Sequence, residues 1–248
     1  MSILNLPTLL LRRGLALLLL AGAVAACDPA PDGPVAPTDT VTGRDFLPVT
    51  VGQFWIYDVQ EVHWNFNDSA VTRYQFRERV DTLYIGADGA PTFRVVRARR
   101  ADALSQWRDD TAFALVLTPQ LVRRTLANRP TVELVFPVRD GQSWNPNLFN
   151  SLDSTERRYV DFDQPLALPN GQQFAQTVRV VDLGEDNLIK RRDAHSAYAR
   201  GVGRVSRVQR TLEFCQENDF PSTGCTPGSG YIVRGEEREE YLREYGPR

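Results

Sequence analysis

Between residues 72 and 80 the chain alternates without a slip: Thr72, Tyr74, Phe76, Glu78 and Val80 fall on one side, and Arg73, Gln75, Arg77 and Arg79 on the other. A period of two is that of a strand with one face in water. Similar segments recur to the end of the chain. Strands are predicted over 54–64, 81–85, 92–99, 111–117, 120–126, 131–138, 157–162, 174–183, 187–192, 198–214 and 231–245, with turn residues between them. Gly86-Ala87-Asp88-Gly89, Gly184-Glu185-Asp186 and the stretch 165–171 are read as turns. The stretch 100–110 leaves helix and strand equally open, through Ala101, Ala103, Leu104 and Trp107, and 231–245, read as a strand, also admits a short charged helix. The expected fold is all-β and mainly antiparallel: a single curved sheet, half-barrel or sandwich of about a dozen strands, with room for one short helix.

A short phrase occurs twice. Leu47-Pro48-Val49-x-x-Gly52-Gln53-x-Trp55 returns as Phe136-Pro137-Val138-x-x-Gly141-Gln142-x-Trp144, 89 residues on, at 136 against 47. Pro fixes φ, Gly admits a turn with φ > 0, and Trp enters the next strand as an apolar anchor. Pro48, Gly52, Trp55, Pro137, Gly141 and Trp144 are therefore residues of turning and packing. Two sheet halves are expected to start near residues 46 and 135. Asn145-Pro146 comes directly after the second Trp, so its strand is delayed or absent.

The first 26 residues have the layout of a secretory signal, with Arg12-Arg13, an apolar stretch over 15–24 and small residues up to Cys27. That stretch is shorter than the roughly 20 apolar residues of a membrane span. Val24-Ala25-Ala26-Cys27 resembles the lipobox of bacterial lipoproteins. The resemblance implies removal of residues 1–26 and acylation of Cys27, with several acyl chains holding the protein on a membrane. Residues 27–44, rich in Pro, form a tether extending up to roughly 50 Å, and 45–248 form the folded body. Three Cys less Cys27 leaves Cys215 and Cys225 to form a disulfide in an oxidising compartment. A thiol pair binding metal is the alternative, weakened by a chain whose only histidines are His63 and His195.

The phrases at 48–57 and 137–144, with Tyr198-Ala-Arg-Gly201-Val-Gly203-Arg-Val205 near the end, resemble those of a family of uncharacterised bacterial secreted proteins and lipoproteins. Gly201 and Gly203 fall in its third phrase. In outline such proteins are similar to the curved sheets of periplasmic lipoprotein carriers. The resemblance implies a β-sheet body in the cell envelope, and it admits a hydrophobic ligand, an acyl chain or lipoprotein, on a concave sheet face.

The remaining constellations point away from chemistry. Asp193, His195 and Ser196 lie close in sequence, but triads are assembled from separated positions and no Gly-x-Ser-x-Gly elbow is present. Asp161 and Asp163, with Asp88 and Glu185-Asp186, lack the spacing by which one loop wraps calcium. Gly201-Val202-Gly203 precedes a strand and makes no phosphate loop. The acidic run over 236–240 reads as a solvated face, and His63 as a partly buried packing residue. Trp55, Trp64, Trp107 and Trp144 read as core. A net charge of −2, from 29 basic and 31 acidic residues, gives no case for nucleic acid. The sequence thus predicts no catalytic residue, no metal and no cofactor. The expected role is a non-enzymatic structural or binding lipoprotein, with the membrane through Cys27 and an envelope protein as partners. The alternatives are a carrier of a hydrophobic ligand and, third, an envelope hydrolase with an unrecognised site. Inner or outer membrane, and periplasmic or surface-facing, stay open.

Overall fold

The computed structural model describes residues 42–216 and 224–247. A 3-10 turn, Arg44–Phe46, leads into twelve strands. The first six are β1 Phe54–Asn65, β2 Asp68–Ile85, β3 Pro91–Arg100, β4 Arg108–Leu117, β5 Leu121–Leu126 and β6 Arg129–Val135. The second six are β7 Ser143–Trp144, β8 Arg157–Ala167, β9 Gln173–Asp186, β10 Lys190–Ala199, β11 Gly203–Phe214 and β12 Ile232–Gly246. They form one antiparallel meander in which β1 also pairs with β12. The first and last strands therefore lie side by side mid-sheet, and β6 and β7 form its margins.

The margins meet, and the sheet curls into a nearly closed barrel. Val132 N–H on β6 donates to the Pro146 carbonyl at 2.9 Å. The Val132 carbonyl accepts from Trp144 Nε1 at 3.2 Å and Arg157 Nη1 at 3.1 Å. Tyr159 Oη on β8 accepts from Val135 N–H and donates to the Val135 carbonyl. Side chains thus satisfy backbone groups that a sheet edge leaves bare.

Local chemistry sets the turns. Phe66 and Asn67, and again Ala127 and Asn128, have positive φ, as a two-residue type I′ hairpin requires. The doubled phrase uses one device twice. Gly52 (φ +90°) donates to Val80 O and Gln53 O accepts from Val80 N, while Gly141 (φ +74°) donates to Tyr159 O and Gln142 O accepts from Tyr159 N. Each copy precedes six strands. The second strand start is brief, because the chain leaves β7 at Asn145-Pro146 and re-enters only at Arg157.

The chain departs from the sequence expectations at several places, among them the strand expected over 198–214, which is interrupted because β10 ends at Ala199 and β11 begins at Gly203. Residues 101–107 are neither helix nor strand: Asp102 Oδ1 accepts from the N–H of Leu104 and Ser105, both at 2.9 Å, and closes a turn. β2 continues through Asp81, where a register shift absorbs the irregularity. β9 runs on to Asp186, because Asn187 Oδ1 takes the N–H of Ile189 and Lys190 and places the turn there rather than at 184–186. β8 runs through Pro165 to Ala167. The body also engages the chain from Thr42, whose carbonyl accepts from Val138 N–H at 2.9 Å. Phe46 is fully buried there, edge-on to Phe162 and beneath the Arg200 guanidinium, which pairs with Asp45 at 2.8 Å.

Candidate functional site

The barrel interior holds more than apolar side chains. Trp55, Tyr57, Phe76, Val80, Val95, Phe113, Leu115, Tyr159 and Val178 make the apolar part, joined by Phe46. Across the middle runs a network of arginines and carboxylates. Glu78 on β2 pairs with Arg97 of β3 at 2.6 Å and Arg204 of β11 at 3.5 Å. Arg204 reaches Glu240 of β12 at 3.1 Å, and Glu240 takes Arg238 at 2.7 Å. Arg238 goes on to Glu61 of β1 at 2.6 Å, which accepts from the Tyr74 hydroxyl at 2.7 Å. On the other side Glu133 of β6 lies 3.9 Å from each of Arg124, Arg157 and Arg207, and Arg157 holds Asp182 of β9 with two hydrogen bonds. Arg124 lies 3.9 Å from Glu78 and joins the two sides.

The charges are nearly balanced, six arginines against five carboxylates. A buried carboxylate alone would be driven towards its neutral form. Burial pushes the Glu78 carboxyl up, but Arg204, Arg97 and Arg124 outweigh it and hold it down to about 2. Glu133 and Glu240 are likewise lowered against burial by the guanidinia around them. Burial pushes the hydroxyls of Tyr74 and Tyr198 up to about 12, with Glu61 and Glu133 respectively adding to the effect. Arginine planes also stack on rings: Arg97 over Phe76 at 4.5 Å and Arg124 over Phe113 at 4.2 Å. Each of these shifted groups is held in the protonation state it has at neutral pH.

Inside the barrel is a cavity of about 40 Å³, lined by Glu78, Arg124, Glu133, Tyr198 and Arg204 as well as apolar residues. Its scale is that of single water molecules. A bound acyl chain needs several hundred Å³.

The residues singled out in the sequence go to three places. Gly52, Trp55, Gly141, Trp144, Gly201 and Gly203 shape turns and core. Trp55 is buried and donates to the Val202 carbonyl at 2.6 Å, Trp144 packs on Tyr159 at 4.6 Å, and Gly203 (φ +107°) lies against the Trp55 indole. Pro48 and Pro137 precede the two turns. Trp64 and Trp107 are not core: Trp64 bonds Glu237 and Trp107 lies under Arg77 and Arg100 on the outside. Cys215 and Cys225 form a disulfide. Cys27, the segment 1–26 and the tether as far as residue 41 lie outside the described residues.

Asp193, His195 and Ser196 do not assemble. His195 and Ser196 are consecutive on β10 with no register shift between them, so their side chains point to opposite faces. Asp193 pairs with Arg210 at 3.6 Å instead. His63 is exposed rather than partly buried in packing, and sits 3.6 Å from Glu236. Asp161 and Asp163 pair with Arg179 and Arg200. Among the described residues no three His, Cys, Asp or Glu side chains gather as a metal site. The interior network is absent from the sequence expectations, although Glu78 stands on the apolar side of its strand and Glu133 between Val132 and Leu134.

The chain matches no protein-family model and no curated protein. Among solved structures it is similar to a protein from Bacteroides fragilis described as exported and as having a YmcC-like fold. Identity is 12%, the TM-score is 0.44, and the likeness covers 82% of this chain and 99% of that one. So distant a likeness is no guide to function.

Proposed function

We propose that this is a membrane-anchored lipoprotein of the bacterial envelope, with a non-enzymatic binding or structural role carried by the outside of its barrel. The observation that carries the reading is the Cys215–Cys225 disulfide in a chain whose remaining Cys closes a lipobox-like tetrad. Disulfides persist in oxidising compartments, and export is what Arg12-Arg13 and the apolar stretch after them would direct. The filled barrel supports the second half of the reading, because ion pairs and rings occupy the space an interior ligand would need.

Fractionation of cells making the wild type and Cys27→Ser tests the anchor. The wild type should partition with membranes and the variant should be released into the aqueous fraction. Continued detergent partition of the variant would contradict the reading. Solvent extraction of the purified variant tests the role: no stoichiometric lipid should be released, and a lipid recovered at one per chain would restore the carrier.

A further inference from the structure

The six arginines and five carboxylates of the interior network leave one positive charge over, and the hydrogen bonds are out of balance in the same direction. Arg124 of β5 and Arg204 of β11 both line the cavity of about 40 Å³, and both stand against Glu78, at 3.9 and 3.5 Å. Arg204 is only 7% exposed. In each of the two, Nε and Nη2 are buried and make no hydrogen bond among the described residues, and Arg97 Nε is in the same state. Against these five nitrogens the network has a single such acceptor, Glu240 Oε2, which Arg204 already meets at 3.1 Å. Glu133 does not close the gap. It stands 3.9 Å from each of Arg124, Arg157 and Arg207, and takes a hydrogen bond from the Tyr198 hydroxyl at 3.4 Å. The exposed charges on the same face keep the excess: Arg99 and Arg108, opposite one another on β3 and β4, add two positive charges, and Glu236 beside His63 adds one negative.

We propose that this cavity binds one halide ion, such as chloride, held by the guanidinia of Arg124 and Arg204. A buried guanidinium short of counter-charge is costly, and a buried donor without an acceptor adds to the cost. A halide removes both at once, because it brings one negative charge and accepts hydrogen bonds without donating any. A water molecule accepts too, but it brings two hydrogens of its own and no charge. Size narrows the choice, since the cavity is on the scale of single water molecules and has no room for a sulfate or phosphate. Trp55, Val95, Phe113 and Leu115 wall it with apolar surface, so the attraction is little screened. Glu78 and Glu133 line it as well and confine the ion to the arginine side, Glu78 being already engaged by Arg97 at 2.6 Å. The ion would fasten β5 to β11 through the barrel interior, independently of the outer surface that carries the proposed role.

The test follows thermal unfolding of the purified protein as sodium chloride replaces sodium gluconate at constant ionic strength, gluconate being too large for the cavity. The unfolding temperature should rise by about 3–5 °C for each tenfold increase in chloride beyond half-saturation. Arg124→Gln removes the excess charge and two of the unpartnered donors, so the rise should disappear whatever the stability of the variant itself. Glu213→Gln, at the exposed pair with Arg234, should keep it. A crystal grown in sodium bromide locates the ion without any variant, and decides the matter alone if Arg124→Gln does not fold. Anomalous scattering at the bromine edge should show one ion between Arg124 and Arg204. An unfolding temperature indifferent to chloride overturns the proposal, as does a chloride effect undiminished in Arg124→Gln. Water alone in the cavity, with bromide only elsewhere on the molecule, overturns it equally.

Discussion

The hydroxyl of Tyr159 stands 2.9 Å from both the amide nitrogen and the carbonyl oxygen of Val135, so that one side chain of β8 serves as the hydrogen-bond partner of a whole residue of β6. Strand pairing ends at both margins of the sheet, and this contact is part of what joins them. Burial pushes the hydroxyl well above its ordinary pKa, which keeps it able to donate as well as accept.

Tyr159→Phe should therefore open the seam without emptying the core. The ring still fills its place against Trp144, but two half-buried backbone groups lose their partner. A cost of about 1–3 kcal/mol is expected in denaturant unfolding, together with faster amide exchange at Val135. Unchanged exchange there would mean that the seam is held by the Val132 contacts alone.

Acid should weaken the barrel from within. The Glu78 carboxyl sits at about 2 when folded and has an ordinary value of 4.5, so its contribution is present above pH 4.5 and is lost as the pH falls through 2. The gap, at about 1.4 kcal/mol per pH unit, makes it worth of order 3 kcal/mol. Glu133 and Glu240 are lowered too and act in the same sense. Unfolding free energy measured between pH 6 and 2 should fall steadily below about 4.5, and the fall should be smaller in Glu78→Gln.

Glu240 is 2% exposed between Arg204 and Arg238. Glu240→Gln should cost about 3 kcal/mol, because two buried guanidinia then share fewer counter-charges. Glu213→Gln, at the exposed pair with Arg234, should cost less than about 1 kcal/mol. Equal costs at the two positions would contradict the interior reading of the network.

Glycines at two positive-φ turns should differ by what stands near them. Gly52 has open space where a Cβ would go, so Gly52→Ala should meet only the backbone strain of positive φ, about 1 kcal/mol. At Gly203 the same atom would come within 2.9 Å of Trp55 Nε1, whose hydrogen bond to Val202 must then shift. Gly203→Ala should be the more destabilising of the two in thermal unfolding.

Much of the fold was legible because its causes are local. The alternation at 72–80 states both the strand and the face, and the Pro-x-x-x-Gly-x-x-Trp phrase marks the start of each six-strand half. What escaped depends on residues distant in sequence. Whether a dozen strands lie open, curl or fold into a sandwich was decided by Tyr159 meeting Val135 and by Trp144 and Arg157 meeting Val132. Turn positions slipped where a side chain competed for the backbone, as Asp102 does against a helix at 101–107 and Asn187 does against a turn at 184–186. The arginine–carboxylate network was half visible. Glu78 lies on its strand's apolar side, an anomaly that signals a buried partner, but the partners Arg97, Arg124 and Arg204 come from three other strands. Trp107 looked like core because sequence gives no account of a ring clamped outside the sheet by two arginines.

Most of the functional reading hangs on Cys27 becoming the lipidated amino terminus. Mass spectrometry of the intact protein, purified from membranes in detergent, tests this directly. The expected result is a chain beginning at Cys27 and heavier than its sequence by the mass of acyl groups, with the added mass on the amino-terminal peptide. A chain with an unmodified Cys27, or one cut elsewhere, would contradict it.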